Sequence, residues 1–311
     1  MSSVEVTVVG ESVLDVVYSR DGSRSQHAGG SPSNVAVGLA RLGTPTTLVT
    51  EMGDDSAACV LLAHLANAGV RTISTRAGGR TAVATATLDD EGAARYSFDI
   101  GWSLPRGTRL PECGGEARHV HTGSIAVYLE PGGRAVEDLI TEAMASHTVS
   151  FDPNIREALI GPHAITVDRT EWFVARSDIV KASEEDLAWL YPGTDCGSIA
   201  TFWSGLGPRL VVVTLGARGS LVRTGDATFE VAPFFVEVVD TVGAGDSYMA
   251  ALIDGLATGG FLGATGLLRR GPVSADALRA IVARASLAAA ITVSRRGANP
   301  PTSIELDERS E

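Results

Sequence analysis

The chain has 311 residues, 44% hydrophobic and 20% charged, a composition for a packed globular protein rather than a disordered one. Its formal net charge of -12 repels nucleic-acid phosphates and anionic membranes, so neither is expected as a partner. The three cysteines, Cys59, Cys113 and Cys196, form no C-x-x-C pair, which argues for a reducing, cytoplasmic setting and for burial as small hydrophobes.

The N-terminal "MSSVEVTVVGESVLD" lacks the basic and apolar regions of a signal peptide, and no run of about 18 apolar residues suggests a membrane span. Strand-like runs follow at 4–10, 46–53, 118–127, 147–154, 178–183 and 210–216. Helical segments lie between them. In "SPSNVAVGLARLG", Ser31 is the expected N-cap, Pro32 the first helical residue and Gly43 the stop. Apolar strands alternating with helices predict an α/β fold with a mostly parallel sheet covered on both faces. Residues 11–30 and 72–103 lack a helical period; the second reads as strands joined by turns at Gly78-Gly79 and at 89–92. Together they are expected to form a small β-sheet lid on a single domain spanning 1–311. An antiparallel extension of the main sheet edge is the alternative.

Lys181 is the only lysine, which excludes a P-loop of the G-K-[ST] type. Near the C-terminus stands "EVVDTVGAGDSYMAALIDGL" (237–256), where Met249, Leu252, Ile253 and Leu256 mark one helix face. The helix must begin close to Asp246. Its first N–H groups lack intrahelical partners and, with the macrodipole, favour an anion. Gly243 and Gly245 allow positive φ and close approach. Asp246 then stands where it can take a proton from a hydroxyl attacking a phosphoryl group. A capped helix with Asp246 as N-cap explains the residues equally well. The helix end weakens Asp246 as a base, which a loose transition state with late proton loss tolerates.

"DTVGAGDSYMAAL" resembles the C-terminal signature of the ribokinase-like, PfkB-type carbohydrate kinases, and "GGSPSNVAVGLARLG" (29–43) resembles their N-terminal signature. The resemblance extends over nearly the whole chain. "SFDPNIR" (150–156) and "GWSLP" look most like the fructokinase branch. It implies a ribokinase-like fold with a β lid, and an enzyme that uses ATP and Mg2+ to phosphorylate a sugar. D-fructose is the first candidate; 2-keto-3-deoxygluconate, ribose and a nucleoside are alternatives, as is a non-catalytic sugar- or nucleotide-sensing homologue.

The resemblance also implies site residues. Asp246 would be the base, with the N–H groups of Gly243, Ala244 and Gly245 around the γ-phosphoryl group. Asp15, Gly30, Asn34, Asp152, Asn154 and Arg156 would face the sugar. Lys181, Ser183 and Asp186, in "KASEED", would stand by the magnesium-bound phosphates. There serine replaces the family's asparagine and aspartate its glutamate, Glu184 and Glu185 could share the acidic role, and a capping box fits as well. Thr214, Gly216, Gly219 and Asn299 would line the nucleotide. Asp240 and Val242, with carbonyls near 295–297, correspond to a potassium site, although Pro301 stands where some potassium-activated members carry serine. A carboxylate substrate would want a second cation from Arg76, Arg80 or Arg95. His119-x-His121 reads as structural rather than as a metal pair. Pairing of two lids would make a homodimer.

Overall fold

The computed structural model describes residues 4–309, apart from 20, 76–78, 89–93, 106, 112–117, 226 and 272. In chain order the strands are β1 (Glu5–Val9), β2 (Val13–Tyr18), β3 (Arg24–Gly29), β4 (Thr46–Glu51), β5 (Arg71–Thr75), β6 (Ala82–Leu88), β7 (Ala94–Asp99), β8 (Arg118–Gly123), β9 (Thr148–Asp152), β10 (Ile179–Ser183), β11 (Leu210–Thr214), β12 (Ser220–Thr224) and β13 (Ala227–Val231). The helices are α1 (Ser31–Leu42), α2 (Ser56–Asn67), α3 (Gly132–Ala143), α4 (His163–Val174), α5 (Glu184–Leu190), α6 (Cys196–Leu206), α7 (Ala244–Thr258), α8 (Leu267–Arg270), α9 (Ala275–Val293) and α10 (Ser303–Glu308).

Among the described residues, nine strands form one sheet in the order β13-β12-β11-β10-β9-β8-β1-β4-β5. From β11 to β5 all neighbours are parallel; β12 and β13 add an antiparallel edge. Side chains alternate between the faces, so both faces of each central strand need apolar residues. Val6, Val8 and Val212 pack on one face with Leu252 and Leu256 of α7 and Ile291 of α9. Val9, Val149, Phe151 and Val213 pack on the other with Val136 and Ile140 of α3, Phe173 of α4 and Trp203 of α6. No described helix is long and apolar enough to cross a membrane.

The chain enters mid-sheet at β1, runs outward through β4 and β5, then returns to β8 and builds the other way. That reversal opens a crevice at the C-terminal ends of β1 and β8, where open α/β sheets bind ligands.

Among the described residues, the segment expected as a lid forms a separate four-stranded sheet in the order β3-β2-β6-β7. It is shorter than the sequence suggests. β5 pairs in parallel with β4 and belongs to the main sheet. Trp102 and Leu104 are buried in the main core, so the segment after β7 has already left the lid. Gly78 and the turn at 89–92 lie outside the described residues.

Three local expectations need correction. The strand expected over 118–127 stops at Gly123, because Ser124 adopts φ 55 and starts a 3-10 turn. The N-cap of α1 is Gly30, not Ser31, and Gly43 ends that helix with φ 94 as expected. Cys59 is exposed rather than buried, since it lies on the outer side of α2; Cys196 is partly exposed and Cys113 lies outside the described residues.

Candidate active site

Gly243 is the N-cap of α7, at φ 76, and Asp246 is its third helical residue. A Cβ at Gly243 would stand 2.6 Å from the Ala298 side chain, so glycine is required for space as well as for φ. The Ala244 N–H turns back to the Thr241 carbonyl at 3.3 Å. Among the described residues no acceptor takes the N–H groups of Gly243, Gly245 or Asp246. The expected donor set of Gly243, Ala244 and Gly245 therefore shifts to Gly243, Gly245 and Asp246, at the positive end of a 15-residue helix.

Asp246 is 9% exposed. The Ser31 hydroxyl donates to its Oδ1 at 2.6 Å, and the Asn34 amide donates to its Oδ2 at 2.8 Å. The start of α1 thus sets the orientation of a carboxylate on α7. Ser31 looked like a cap because serine normally is one. Here Gly30 caps by backbone alone and frees the hydroxyl.

Behind the corner lies a buried ion pair. Lys181 Nζ stands 2.7 Å from Asp152 Oδ2, with side chains 4% and 2% exposed. The same ammonium donates to the Gly245 carbonyl at 3.4 Å. Asp152 Oδ1 has no hydrogen-bond partner among the described residues. Burial raises the Asp152 pKa to about 6, although Lys181 pulls it back. Burial opposes the Lys181 charge, but Asp152, followed by Asp186 and Asp246, outweighs it and holds the ammonium above its ordinary pKa.

At the crevice, Glu11 follows β1 and is 2% exposed. Its Oε2 accepts the Ala126 N–H at 3.0 Å, and burial lifts its pKa to about 7 against bonds from the backbone and Ser124. Asn154, after β9, has φ 38, and its amide reaches Ser124 Oγ at 3.4 Å. Two non-glycine residues in the left-handed region touch here, the kind of strain that gathers at binding sites. Sequence reasoning missed Glu11 and Ser124. An acid directly after an apolar strand was a visible signal for the first; nothing announced the second.

The lid brings a further carboxyl. Asp15 pairs with His27 on β3 and Ala84 on β6, which pairs with Phe98 on β7, so these four share one face. Burial raises the Asp15 pKa and His27 draws it back. The opposite face carries Leu14, Val16, Gln26 and Thr85. With Arg80 and the start of α2, it lines a separate cleft of about 740 Å3. Arg95 pairs with Thr87 on that opposite face, and Arg80 forms an exposed ion pair with Asp99. Arg76 lies outside the described residues. Gly30 packs against the Glu11 carbonyl between lid and main sheet.

On the side expected to take the nucleotide, Ser183 and Asp186 form a capping box at the start of α5. Asp186 Oδ1 accepts the Ile155 N–H at 2.7 Å and Oδ2 accepts from Ser183, so neither oxygen lacks a partner. Glu184 pairs with Arg218, whereas Glu185 is exposed. Thr214 ends β11, and Gly216 (φ 57) and Gly219 (φ 90) shape the turn after it. Asn299 Oδ1 accepts from Arg41 at 2.7 Å. Asp240 accepts the N–H groups of Val242 (3.0 Å) and Gly297 (2.8 Å), which hold its pKa low and tie the two expected cation-site segments together. Arg156 is exposed and donates to the carbonyl of Ile155, not to another expected site residue.

Among the described residues no three His, Cys, Asp or Glu side chains group as a metal site. His119 bonds Thr148 and Ser150, and His121 bonds Ser150, with burial keeping both pKa values low.

Residues 4–305 match the pfkB family of carbohydrate kinases. The chain belongs to that family. A fructokinase of Rhizobium leguminosarum bv. trifolii is 34% identical over 255 residues, covering 79% of this chain and 78% of that protein. The fructokinase of Vibrio cholerae O395, solved with fructose, ADP and calcium, superposes with a TM-score of 0.82 at 24% identity, over 100% of each chain. Aminoimidazole riboside kinase from Salmonella enterica, solved with its riboside and an ATP analogue, gives 0.78 at 25% identity, over 98% of this chain and 97% of that one. As a pfkB carbohydrate kinase, this chain is an ATP-dependent enzyme of the ribokinase-like α/β fold.

Proposed function

We propose that the enzyme transfers the γ-phosphoryl group of ATP to the primary hydroxyl of D-fructose. The observation that carries the transfer is Asp246, held by Ser31 and Asn34 beside three N–H groups without an acceptor among the described residues. The sugar hydroxyl attacks the phosphorus and the bond to ADP breaks. A carboxylate oxygen of Asp246 receives the hydroxyl proton. The N–H groups of Gly243, Gly245 and Asp246 face the charge on the transferring group. A sensing protein would have no need of so positioned a carboxylate.

Asp15, Asn34 and Asn154, with Gly30 shaping the floor, bind the sugar, amide and carboxylate being suited to neutral hydroxyls. Among the described residues, Arg95 lies on the lid face opposite Asp15 and Arg80 lines the cleft on that side, so neither supplies the second cation a sugar acid would want. The fructokinase relatives support the same choice. Among the described residues, Arg156, exposed after β9, favours 2-keto-3-deoxygluconate.

Thr214, Gly216, Gly219 and Asn299 line the nucleotide. Magnesium, bound with ATP, neutralises phosphate charge. Magnesium usually keeps one or two carboxylates and substrate phosphates as ligands, and among the described residues no three His, Cys, Asp or Glu side chains group as a site for it. With Asp186 engaged in capping α5, Glu185 is the acid that approaches those phosphates. Asp240, Val242 and the 295–297 segment form the potassium site; potassium accompanies fructose and ADP in one form of the Vibrio cholerae enzyme. A cytoplasmic setting and a homodimer paired through the lids, where Tyr96 and Phe98 are exposed on the edge strand, complete the reading. Coupled ADP-release assays across fructose, 2-keto-3-deoxygluconate, ribose and adenosine test it. A higher kcat/KM for the acid overturns fructose and leaves the kinase intact.

A further inference from the structure

We propose that Lys181 is a positioning residue for the anion corner, acting through the Gly245–Asp246 peptide rather than as a direct phosphate ligand. The inference deepens the kinase reading and rests on it. In a trans peptide the carbonyl and N–H point in opposite directions. Lys181 Nζ donates to the Gly245 carbonyl at 3.4 Å, and the N–H of the same peptide, on Asp246, is one of the three without an acceptor among the described residues. The ammonium therefore fixes the N–H that faces the phosphoryl group and polarises it as a donor.

Gly245 makes the contact possible: a Cβ there would stand 3.0 Å from Nζ. Asp152 holds Nζ from the other side at 2.7 Å. No other lysine or arginine among the described residues is buried. The groups around it are Asp152 on β9, Asp186 on α5, Asp246 on α7 and His121 on β8, while Glu11, after β1, faces Asp246. One buried cation therefore stands among several acids at a site built for a polyanion. A direct phosphate ligand would be turned outward; this side chain is 4% exposed and engaged on both sides.

The test compares wild type with Lys181→Met. The variant is expected to lose about a hundredfold in kcat, with affinities for fructose and for an ATP analogue with a non-transferable γ-phosphate changed less than about threefold. Loss of the nearby positive charge also moves the acid limb of the kcat/KM profile upward. A residue that merely supports the fold would leave that limb in place. If Lys181→Met does not fold because Asp152 is left buried and unpaired, Lys181→Met/Asp152→Leu removes both charges; its stability is expected to recover and its turnover is not. Because Lys181 is the only lysine, 15N-lysine labelling of the unaltered enzyme yields a single side-chain signal, expected to shift when fructose and the ATP analogue fill the site. Wild-type turnover in either folded variant overturns the proposal, as does an acid limb unmoved in Lys181→Met, a collapse of nucleotide affinity at unchanged kcat, or a lysine signal indifferent to the ligands. An unaltered enzyme that phosphorylates no sugar overturns the kinase reading instead, and this proposal with it.

Discussion

Raising the pH from 5.5 to 8.5 is expected to weaken the fold, in largest part through the Glu11 carboxyl. It is 2% exposed, and burial lifts its pKa from the ordinary 4.5 to about 7. Between those two values the folded protein holds a proton that the unfolded chain has released. The group's contribution to stability is therefore complete below pH 4.5 and is lost as the pH climbs through 7. At about 1.4 kcal/mol per pH unit the whole window amounts to about 3 kcal/mol, of which about 2 kcal/mol falls above pH 5.5. Asp152, lifted to about 6, slopes the same way, so the wild-type curve alone does not isolate Glu11. Glu11→Gln does, since glutamine keeps the shape and still accepts the Ala126 N–H. Urea unfolding of both proteins across this pH range should show the variant gaining about 2 kcal/mol relative to wild type. A stability difference that stays flat with pH would refute the assignment of the buried proton to Glu11.

Asp246→Asn is expected to lower kcat by roughly two to four decades while calorimetry finds sugar and ATP still bound; near wild-type turnover removes Asp246 from the role of base. Asp15→Ala should raise the KM for sugar by the equivalent of about 1–3 kcal/mol and leave kcat in place. Asn34→Ala should do both, because its amide also holds Asp246; steady-state kinetics in which the two variants behave alike would count against that bond. Gly243→Ala, forced to φ 76 with its Cβ 2.6 Å from the Ala298 side chain, should lose about 1–3 kcal/mol in thermal unfolding.

Much of this protein was legible in the sequence because it depends on local pattern. Continuous apolar strands between helical periods announced a buried parallel sheet, since a strand covered on both faces has no polar side to show. Gly243, Gly245 and Asp246 marked the helix start, because positive φ and an acid in the first turn are properties of a few adjacent residues. The lid was visible as a loss of helical period, but its edge was not: β5 and β6 read alike, and only partner choice, β4 for one and β2 for the other, puts them in different sheets. The pairings that complete the site were closed to sequence reasoning for the same reason. Ser31 meets Asp246 across 215 positions, and Lys181 meets Gly245 across 64. Glu11, Ser124 and Asn154 come together only because the sheet reverses direction between β1 and β8. A side chain's chemistry is written in its residue type, but its partner is set by where the chain returns in space.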